Sequence, residues 1–308
     1  MAAATLGHAW RVMADIAYYG ATRLWRVLTV GFESTDSAPL PTLSAARVRS
    51  PPTRRGTCQC LTRRVCVQVS EKSLISVVIP TFNEGDGAAV SVASALSDPN
   101  VEVVVADGGS SDATCDVAAA VGATVLRVDT DEWGVGRAAC QNAGAAAASG
   151  DILLFLHGDT ELPEGYGGAV RAALREGTTA IAAFSLRLRP PCAGIWLVEM
   201  AASARSRIRQ MPYGDQGLAM RRETFDALGG FDRIPLLEDV EIVLLARRRG
   251  GHVTTLPLVA TSSSRRWQRH GVIANSAHNQ LVLLGRAVGV PYQRIATWYY
   301  GSTATKTY

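Results

Sequence analysis

DILLFLHGDTELP, residues 151–163, decides how this chain is read. Ile152, Leu153, Leu154, Phe155 and Leu156 form an unbroken apolar run, the pattern of a strand buried on both faces of a helix-covered sheet. Polarity then changes abruptly. His157, Gly158, Asp159 and Thr160 leave the carboxyl end of that strand, where open α/β sheets place their ligands. A carboxylate and an imidazole two residues apart, with a glycine between them that admits close backbone approach, suit a divalent cation held against a diphosphate. Asp159 and Thr160 equally suit the cap of a following turn, so the neighbouring sequence has to separate the two readings.

Upstream, residues 74–79 (LISVVI) predict a β-branched strand that Pro80 ends, then the loop TFNEGDG and a helix over residues 88–96. Residues 101–106 predict a second strand. Asp107, Gly108, Gly109, Ser110, Ser111 and Asp112 follow it, ahead of a helix over residues 113–121, which Ser110 or Ser111 can cap and whose N-terminus favours an anion. No G-x-G-x-x-G opens either helix, which excludes a dinucleotide fingerprint. Residues 124–128 predict a third strand, and residues 136–149 a small-residue helix that returns the chain to Ile152. Four strand–helix alternations predict a parallel sheet with right-handed crossovers, gathering the loops at Thr81, Asp107 and His157 on one edge.

Downstream, residues 180–188 predict a further strand and residues 196–208 a helix. GDQGLAM (214–220) precedes a helix containing Thr224, Phe225 and Leu228 that ends at Gly229 and Gly230. LEDVE (237–241) opens a helix over residues 240–249, with acids at its N-terminus and Arg247, Arg248 and Arg249 at its C-terminus, as the helix dipole favours. Residues 271–308 hold one helical run (274–288) and an aromatic end at Trp298, Tyr299 and Tyr300, too short and polar to anchor in a bilayer.

With 308 residues, 47% of them hydrophobic, the chain can bury a sizeable core. Its net charge of +4 is uneven: residues 1–70 hold nine Arg and three acids, which leaves −2 for residues 71–308. The basic balance therefore does not imply nucleic-acid binding by the folded part. The leading segment is acid-poor and clusters Ser, Thr, Pro and Arg, the composition of an organelle transit peptide, a chloroplast being favoured over a mitochondrion; a cytoplasmic location follows if it is no transit peptide. Residues 8–32 are apolar but broken by charge, which excludes a spanning helix and leaves a surface-lying one open. Cys58, Cys60 and Cys66 lack partners that would complete a zinc site, and Cys115, Cys140 and Cys192 are scattered, as expected of free thiols in a reducing compartment.

ISVVIPTFNE (75–84), VADGGSSDAT (105–114), GRAACQNAG (136–144), the strand ending in HGDT, GDQGLAMRRETFDALGGFD (214–232) and LLEDVE (236–241) stand in the order found in family 2 glycosyltransferases of the GT-A fold, which the chain resembles from about residue 74 to about residue 270. TSSSRRWQRHG (261–271) and the tail resemble the subgroup labelled radical-SAM/selenodomain-associated, a label that records gene neighbourhood. The resemblance implies an α/β fold with a mainly parallel sheet covered by helices on both faces, as a GT-A domain over residues 74–258. A helical extension over 259–308 and a largely disordered leader over 1–73 complete the expected layout. It implies a UDP-sugar or GDP-sugar donor, Mn²⁺ or Mg²⁺, and inverting transfer to a small-molecule, lipid or glycan acceptor. Carried over by position, Pro80, Thr81 and Glu84 touch the nucleoside, Asp107 faces the base and Arg137 lies near the nucleotide, or else is a solvated helix-start residue. Asn142 and Gly144 shape their helix. Asp159 is the metal-binding acid with His157 beside it. Asp215 and Gln216 lie near the donor sugar or acceptor, and Arg266 and Trp267 near the donor. Asp239 is the general base, with Glu238 the alternative.

Three departures stand against the family pattern. His157 replaces the first acid of DxD, Gly108 replaces the second acid of the usual DDGS loop, and the QxxRW motif of processive relatives survives only as Ser263, Arg266 and Trp267. Processive polymerisation is thereby disfavoured, and imidazole suits Mn²⁺ better than Mg²⁺. His157 and Gly108 also fit a degenerate nucleotide-sugar-binding or regulatory protein. A nucleotidyltransferase needs a basic triphosphate loop after its first strand, and TFNEGDG contains no Lys or Arg.

Overall fold

The computed structural model describes residues 14–19, 69–134 and 136–301. Eight strands form one sheet in the order β3-β2-β1-β4-β7-β6-β8-β5: β1 (Ile75–Thr81), β2 (Val101–Asp107), β3 (Thr124–Arg127), β4 (Ile152–Phe155), β5 (Thr160–Glu161), β6 (Thr179–Arg189), β7 (Leu218–Arg221) and β8 (His252–Ser263). Helices α1 (Asp86–Ala95), α2 (Thr114–Val121), α3 (Thr130–Trp133), α4 (Arg137–Ala147), α5 (Tyr166–Arg175), α6 (Ile195–Arg209), α7 (Arg222–Leu228) and α8 (Glu238–Arg248) lie between them. After β8 come α9 (Arg265–His270), α10 (Val272–Val288) and α11 (Tyr292–Tyr300).

The unbroken apolar strands are covered on both faces. Ile75, Val77, Ile79, Ile152, Leu154 and Leu156 pack with Val92 of α1, Ala118 of α2 and Val170 and Leu174 of α5. The alternate residues Val78, Leu153 and Phe155 pack on the other side with Ala138 and Ala145 of α4, Phe225 of α7 and Ile242 and Val243 of α8. A third cluster joins Leu236 to Val282, Ile295 and Trp298 of the C-terminal helices.

The parallel pairings β3–β2–β1–β4 match the sequence expectation, and β6–β8 adds another. The sheet is nonetheless mixed. β7 inserts antiparallel between β4 and β6, and β5 pairs antiparallel with β8. LAMR carries too few residues to declare β7, and β8 is interrupted by Pro257, which the sheet tolerates at an irregularity where residues 256–258 stand opposite Phe184. β8 runs through residue 258 to Ser263, so the sheet continues past the expected edge of the domain.

Pro80 lies inside β1 and does not end it. Leu156 N donates to Val78 O at 3.0 Å. The residue two further along β1 faces the same neighbour; it is Pro80, which has no N–H for the next rung. The ladder with β4 stops there, and β4 releases its chain at His157. Residues 14–19, inside the expected disordered leader, are helical: Ile16 and Tyr19 pack on the third cluster, and Asp15 pairs with Arg294 at 2.5 Å. Residues 1–13 and 20–68, which carry the rest of the expected transit segment and Cys58, Cys60 and Cys66, lie outside the described residues.

Gly144 lets α4 lie close on the sheet, since a Cβ there would meet Val78 Cγ1 at 2.5 Å. Gly144→Ala should therefore cost about 1–3 kcal/mol, the usual range for overpacking, despite the better helix propensity of alanine. Urea denaturation measures it, and an unchanged midpoint would contradict the close contact.

Candidate active site

Parallel pairing brings the carboxyl ends of β1 and β4 side by side, and the loops that leave them wall a cavity of about 420 Å³. Pro80 and Glu84 come from β1 and its loop; His157, Gly158 and Asp159 follow β4. Tyr213 and Asp215 come from the 3₁₀ turn region around Gly214–Gln216, and Leu236, Leu237, Asp239 and Val240 from the start of α8. Arg265, Arg266, Trp267 and Arg269 of α9 close the wall with Tyr299 and Tyr300 of α11.

Leu237 holds φ at +71°, rare for a residue with a side chain, and this turn starts α8 at Glu238. Successive helical residues point about 100° apart, so the two acids face different surroundings. Asp239 lines the cavity. Its Oδ2 accepts Gly214 N at 2.6 Å and its Oδ1 accepts Val240 N at 2.8 Å. Glu238 turns inward, 1% exposed, and pairs with Arg137 Nη1 at 3.3 Å. Burial raises its pKa, against the pull of Arg137 and with a push from Asp239. Glu238 is thus the anchor of Arg137, which lines the cavity, and does not itself reach the cavity as the alternative base required.

Gly214 fits between the two halves of the site. A Cβ on it would lie 2.6 Å from His157 Nε2 and 3.2 Å from Asp239 Oδ2. Burial and the charge of Arg137 hold the His157 imidazole well below the usual histidine range, so it stays neutral, the metal-ligating form. His157 Nε2 and Asp215 Oδ1 are both shielded, with no hydrogen-bond partner among the described residues. Asp159 instead meets Arg265, whose Nη2 lies 3.2 Å from Asp159 Oδ2 and 2.7 Å from Glu84 Oε2. Burial raises the Glu84 pKa, Arg265 opposes the rise, and Asp159 adds to it.

Of the residues singled out in the sequence, Pro80, Glu84, Arg137, His157, Asp159, Asp215, Asp239, Arg266 and Trp267 line the cavity; Thr81, Asp107, Gln216 and Glu238 do not. Thr81 Oγ1 is buried and donates to Asp107 Oδ1 at 3.3 Å. Asp107 is 1% exposed and braces its own loop, accepting Gly109 N, Ser110 N and Ser110 Oγ, which together outweigh burial and lower its pKa. Gln216 is fully buried, its Nε2 donating to Phe184 O at 2.7 Å and its Oε1 accepting Arg205 Nη2 at 3.2 Å. It fixes the turn that carries Asp215. Sequence reasoning missed Tyr213 and Gly214; the doubled glycine in GDQG was the available signal for a close backbone approach.

Among the described residues, no group of three or more His, Cys, Asp and Glu side chains is arranged to hold a metal. One or two protein ligands are what a cation shared with a substrate diphosphate uses. Asp159 and the unpartnered His157 Nε2 fit that donor set.

Residues 76–226 match the family model for glycosyl transferase family 2. Glucosyl-3-phosphoglycerate synthase from Mycobacterium tuberculosis, solved with phosphoglyceric acid, shares 24% identity over 74% of this chain and 87% of that one, with a TM-score of 0.53. The mannosyltransferase PcManGT from Pyrobaculum calidifontis, in complex with GDP-Man and Mn²⁺, shares 16% identity over 98% and 87%, with a TM-score of 0.49. No curated protein matches the chain. The family match and the shared architecture establish a GT-A glycosyltransferase fold whose helical C-terminal segment is present.

Burial pushes the Asp215 carboxyl up to about 6, with Arg205 opposing and Asp239 and Asp159 reinforcing. A folded pKa above the unfolded value makes the ionised group a liability: its stabilising contribution is present below about 3.8 and lost as pH rises through about 6. Asp215→Asn should therefore raise Tm at pH 7.5 and leave it nearly unchanged at pH 4. Thermal denaturation at the two pH values checks this, and a larger gain at pH 4 would refute it.

Proposed function

We propose that the chain is a non-processive, inverting hexosyltransferase that moves a sugar from a nucleotide-diphospho-sugar, a UDP-sugar or GDP-sugar, to an acceptor hydroxyl. The observation that carries this reading is the cavity in which Asp239 faces Asp159 and His157 at the end of β4, within a chain that matches family 2. In this reading Pro80, Glu84 and Arg137 flank the nucleotide, while Arg265, Arg266 and Trp267 lie over the diphosphate. Residues 1–70 are poor in acids and rich in Arg, Ser, Thr and Pro, and we read that segment as an address for import into a plastid.

Asp239 takes the acceptor hydroxyl's proton as that oxygen bonds to the anomeric carbon. The bond from that carbon to the diphosphate oxygen breaks on the opposite face, its electrons leaving with the nucleoside diphosphate. One base and no covalent intermediate suffice. The backbone N–H groups of Gly214 and Val240 hold the Asp239 carboxylate in place, so its orientation costs nothing at the moment of reaction. Asp159 and His157 would hold a divalent cation, Mn²⁺ suiting the imidazole better than Mg²⁺, and its charge would stabilise the departing diphosphate. Arg265 then releases Asp159 and Glu84 to meet the diphosphate. Serine in place of the processive motif's glutamine, Ser263, agrees with transfer of a single sugar.

Two substitutions test the two roles separately. Asp239→Asn should lower kcat by roughly 10² to 10⁴ while donor affinity stays near wild type. Release of nucleoside diphosphate measures it, and near-full turnover would remove Asp239 as base. Asp159→Asn should abolish Mn²⁺-dependent donor binding in calorimetric titration with UDP-sugars and GDP-sugars; unchanged metal-dependent affinity would move the cation elsewhere.

A further inference from the structure

The outward face of α6 has the wrong polarity for water. Its exposed residues are Trp196, Leu197, Met200, Ala201, Ala204, Arg207 and Ile208, together with Arg209 at the end. Trp196 is 60% exposed, Met200 57% and Ile208 82%. At about 100° per residue, the first seven fall within one helical face. A helix on a soluble surface normally shows charges there and buries its apolar stripe. Here α6 does bury one, Ile195, Val198 and Ala202 packing against Leu186 and Leu188 of β6, yet it exposes a second. Glu199, the helix's one acid, is turned away to accept Leu188 N at 2.7 Å.

The start of α10 extends this surface. Val272 belongs to the same cluster and comes within 3.8 Å of the Cβ position of Gly194, and the adjoining Ile273 is 86% exposed. Leu284, 46% exposed, stands eleven residues further, three turns along the same side of α10. Arg207 and Arg209 stand on and beside this face, and Arg269 and His270 of α9 are exposed and precede Ile273 in sequence.

We infer that the chain docks on an anionic lipid surface through the outward face of α6 and the start of α10. Trp, Leu, Met and Ile on one face with arginines at its margin is the composition that partitions into the headgroup boundary, where an indole places its ring in the apolar layer and its N–H in the wet one. No helix among the described residues is long and apolar enough to cross a membrane. Arg269 both lines the cavity and stands four residues before Ile273, so a docked chain holds the cavity beside the lipid. Use of a membrane-borne acceptor rests on the transferase reading; docking does not.

Co-sedimentation of the full chain with phosphatidylcholine vesicles, with and without 30 mol% phosphatidylglycerol, tests the docking with no donor present. Binding should require the anionic lipid and weaken in 0.5 M NaCl. The variant Trp196→Ser, Met200→Ser, Ile273→Ser should partition on the order of 10-fold to 100-fold less, while its Tm and donor affinity stay near wild type. The nine arginines before residue 70 remain in that variant, so unchanged binding by it would assign lipid contact to the leader and overturn the inference. Absence of wild-type binding would overturn it too, as would a wild-type dimer in sedimentation velocity that the variant abolishes without any vesicle binding. Loss of donor affinity in Asp159→Asn bears only on the catalytic reading, so the two can fail separately.

Discussion

A single backbone N–H, that of Gly214, joins the two halves of the site. It donates to Asp239 Oδ2 at 2.6 Å while the same residue leaves no room for a side chain beside His157 Nε2. His157 arrives from the parallel half of the sheet, Asp239 from the start of α8, and the turn at Gly214 from the stretch that leads into antiparallel β7. The turn in turn depends on a buried scaffold. Gln216 reaches Phe184 O and Ser206 Oγ, and Arg205 stacks over Tyr213 at 3.4 Å while bonding to Gln216. His157 and Asp239 therefore meet through residues whose own work is structural.

The charges around the cavity are arranged as exchangeable pairs. Arg137 is committed to buried Glu238, and a pair of that kind is costly to break because removal of either partner strands the other. Arg265 is less firmly held, with half of its side chain exposed and one nitrogen shared between Glu84 and Asp159. The charge of Asp159 raises the Glu84 pKa, so the guanidinium shared between them offsets a repulsion. Arg266 instead lies over the Tyr299 ring at 3.9 Å and bonds to its hydroxyl, which leaves it without a carboxylate partner among the described residues. Of the four arginines that line the cavity, Arg137 is held by a buried acid, Arg265 is shared between two carboxylates, Arg266 is stacked on a ring and Arg269 stands exposed at the wall.

The fold's first half was legible because period and punctuation agreed: β-branched or wholly apolar runs, each followed by a glycine-bearing loop and a small-residue helix. The second half was not. Four residues of β7 make a strand only because β4 and β6 offer open edges on both sides, and Pro257 disguised β8 whose irregularity absorbs it. Within the site, the sequence put Asp159 at the end of β4, and the family resemblance made Asp239 the base with Glu238 the alternative; only the structure displays that Asp239 lines the cavity while Glu238 is buried against Arg137. That choice depends on the rotation of α8, set by the left-handed turn at Leu237. The family resemblance places Asp107 and Gln216 at the ligand by position; what the chain alone does not display is that each is bonded to the backbone it supports. Residues 14–19 carried no signal of their own, since their packing depends on Arg294 and Trp298 nearly three hundred residues away.

Net charge conceals the most useful electrostatic fact. Residues 242–308 carry +9 and residues 1–70 carry +6, so the net +4 leaves −11 for residues 71–241. The acidic stretch supplies seven of the sheet's eight strands and brings Glu84, Asp159, Asp215 and Asp239 to one wall of the cavity, and the acid-free stretch supplies β8 and brings Arg265, Arg266 and Arg269 to the other. Like charges in a shielded space repel strongly, so the carboxylates of the first wall by themselves oppose an entering anion. The basic wall reverses that balance, and α9, which carries it, continues within one glycine into the helix that exposes Ile273. Anion capture and the outward apolar surface are thereby built on one continuous piece of chain, and a change in the packing of α6 against Trp267 and Val272 would be felt at both.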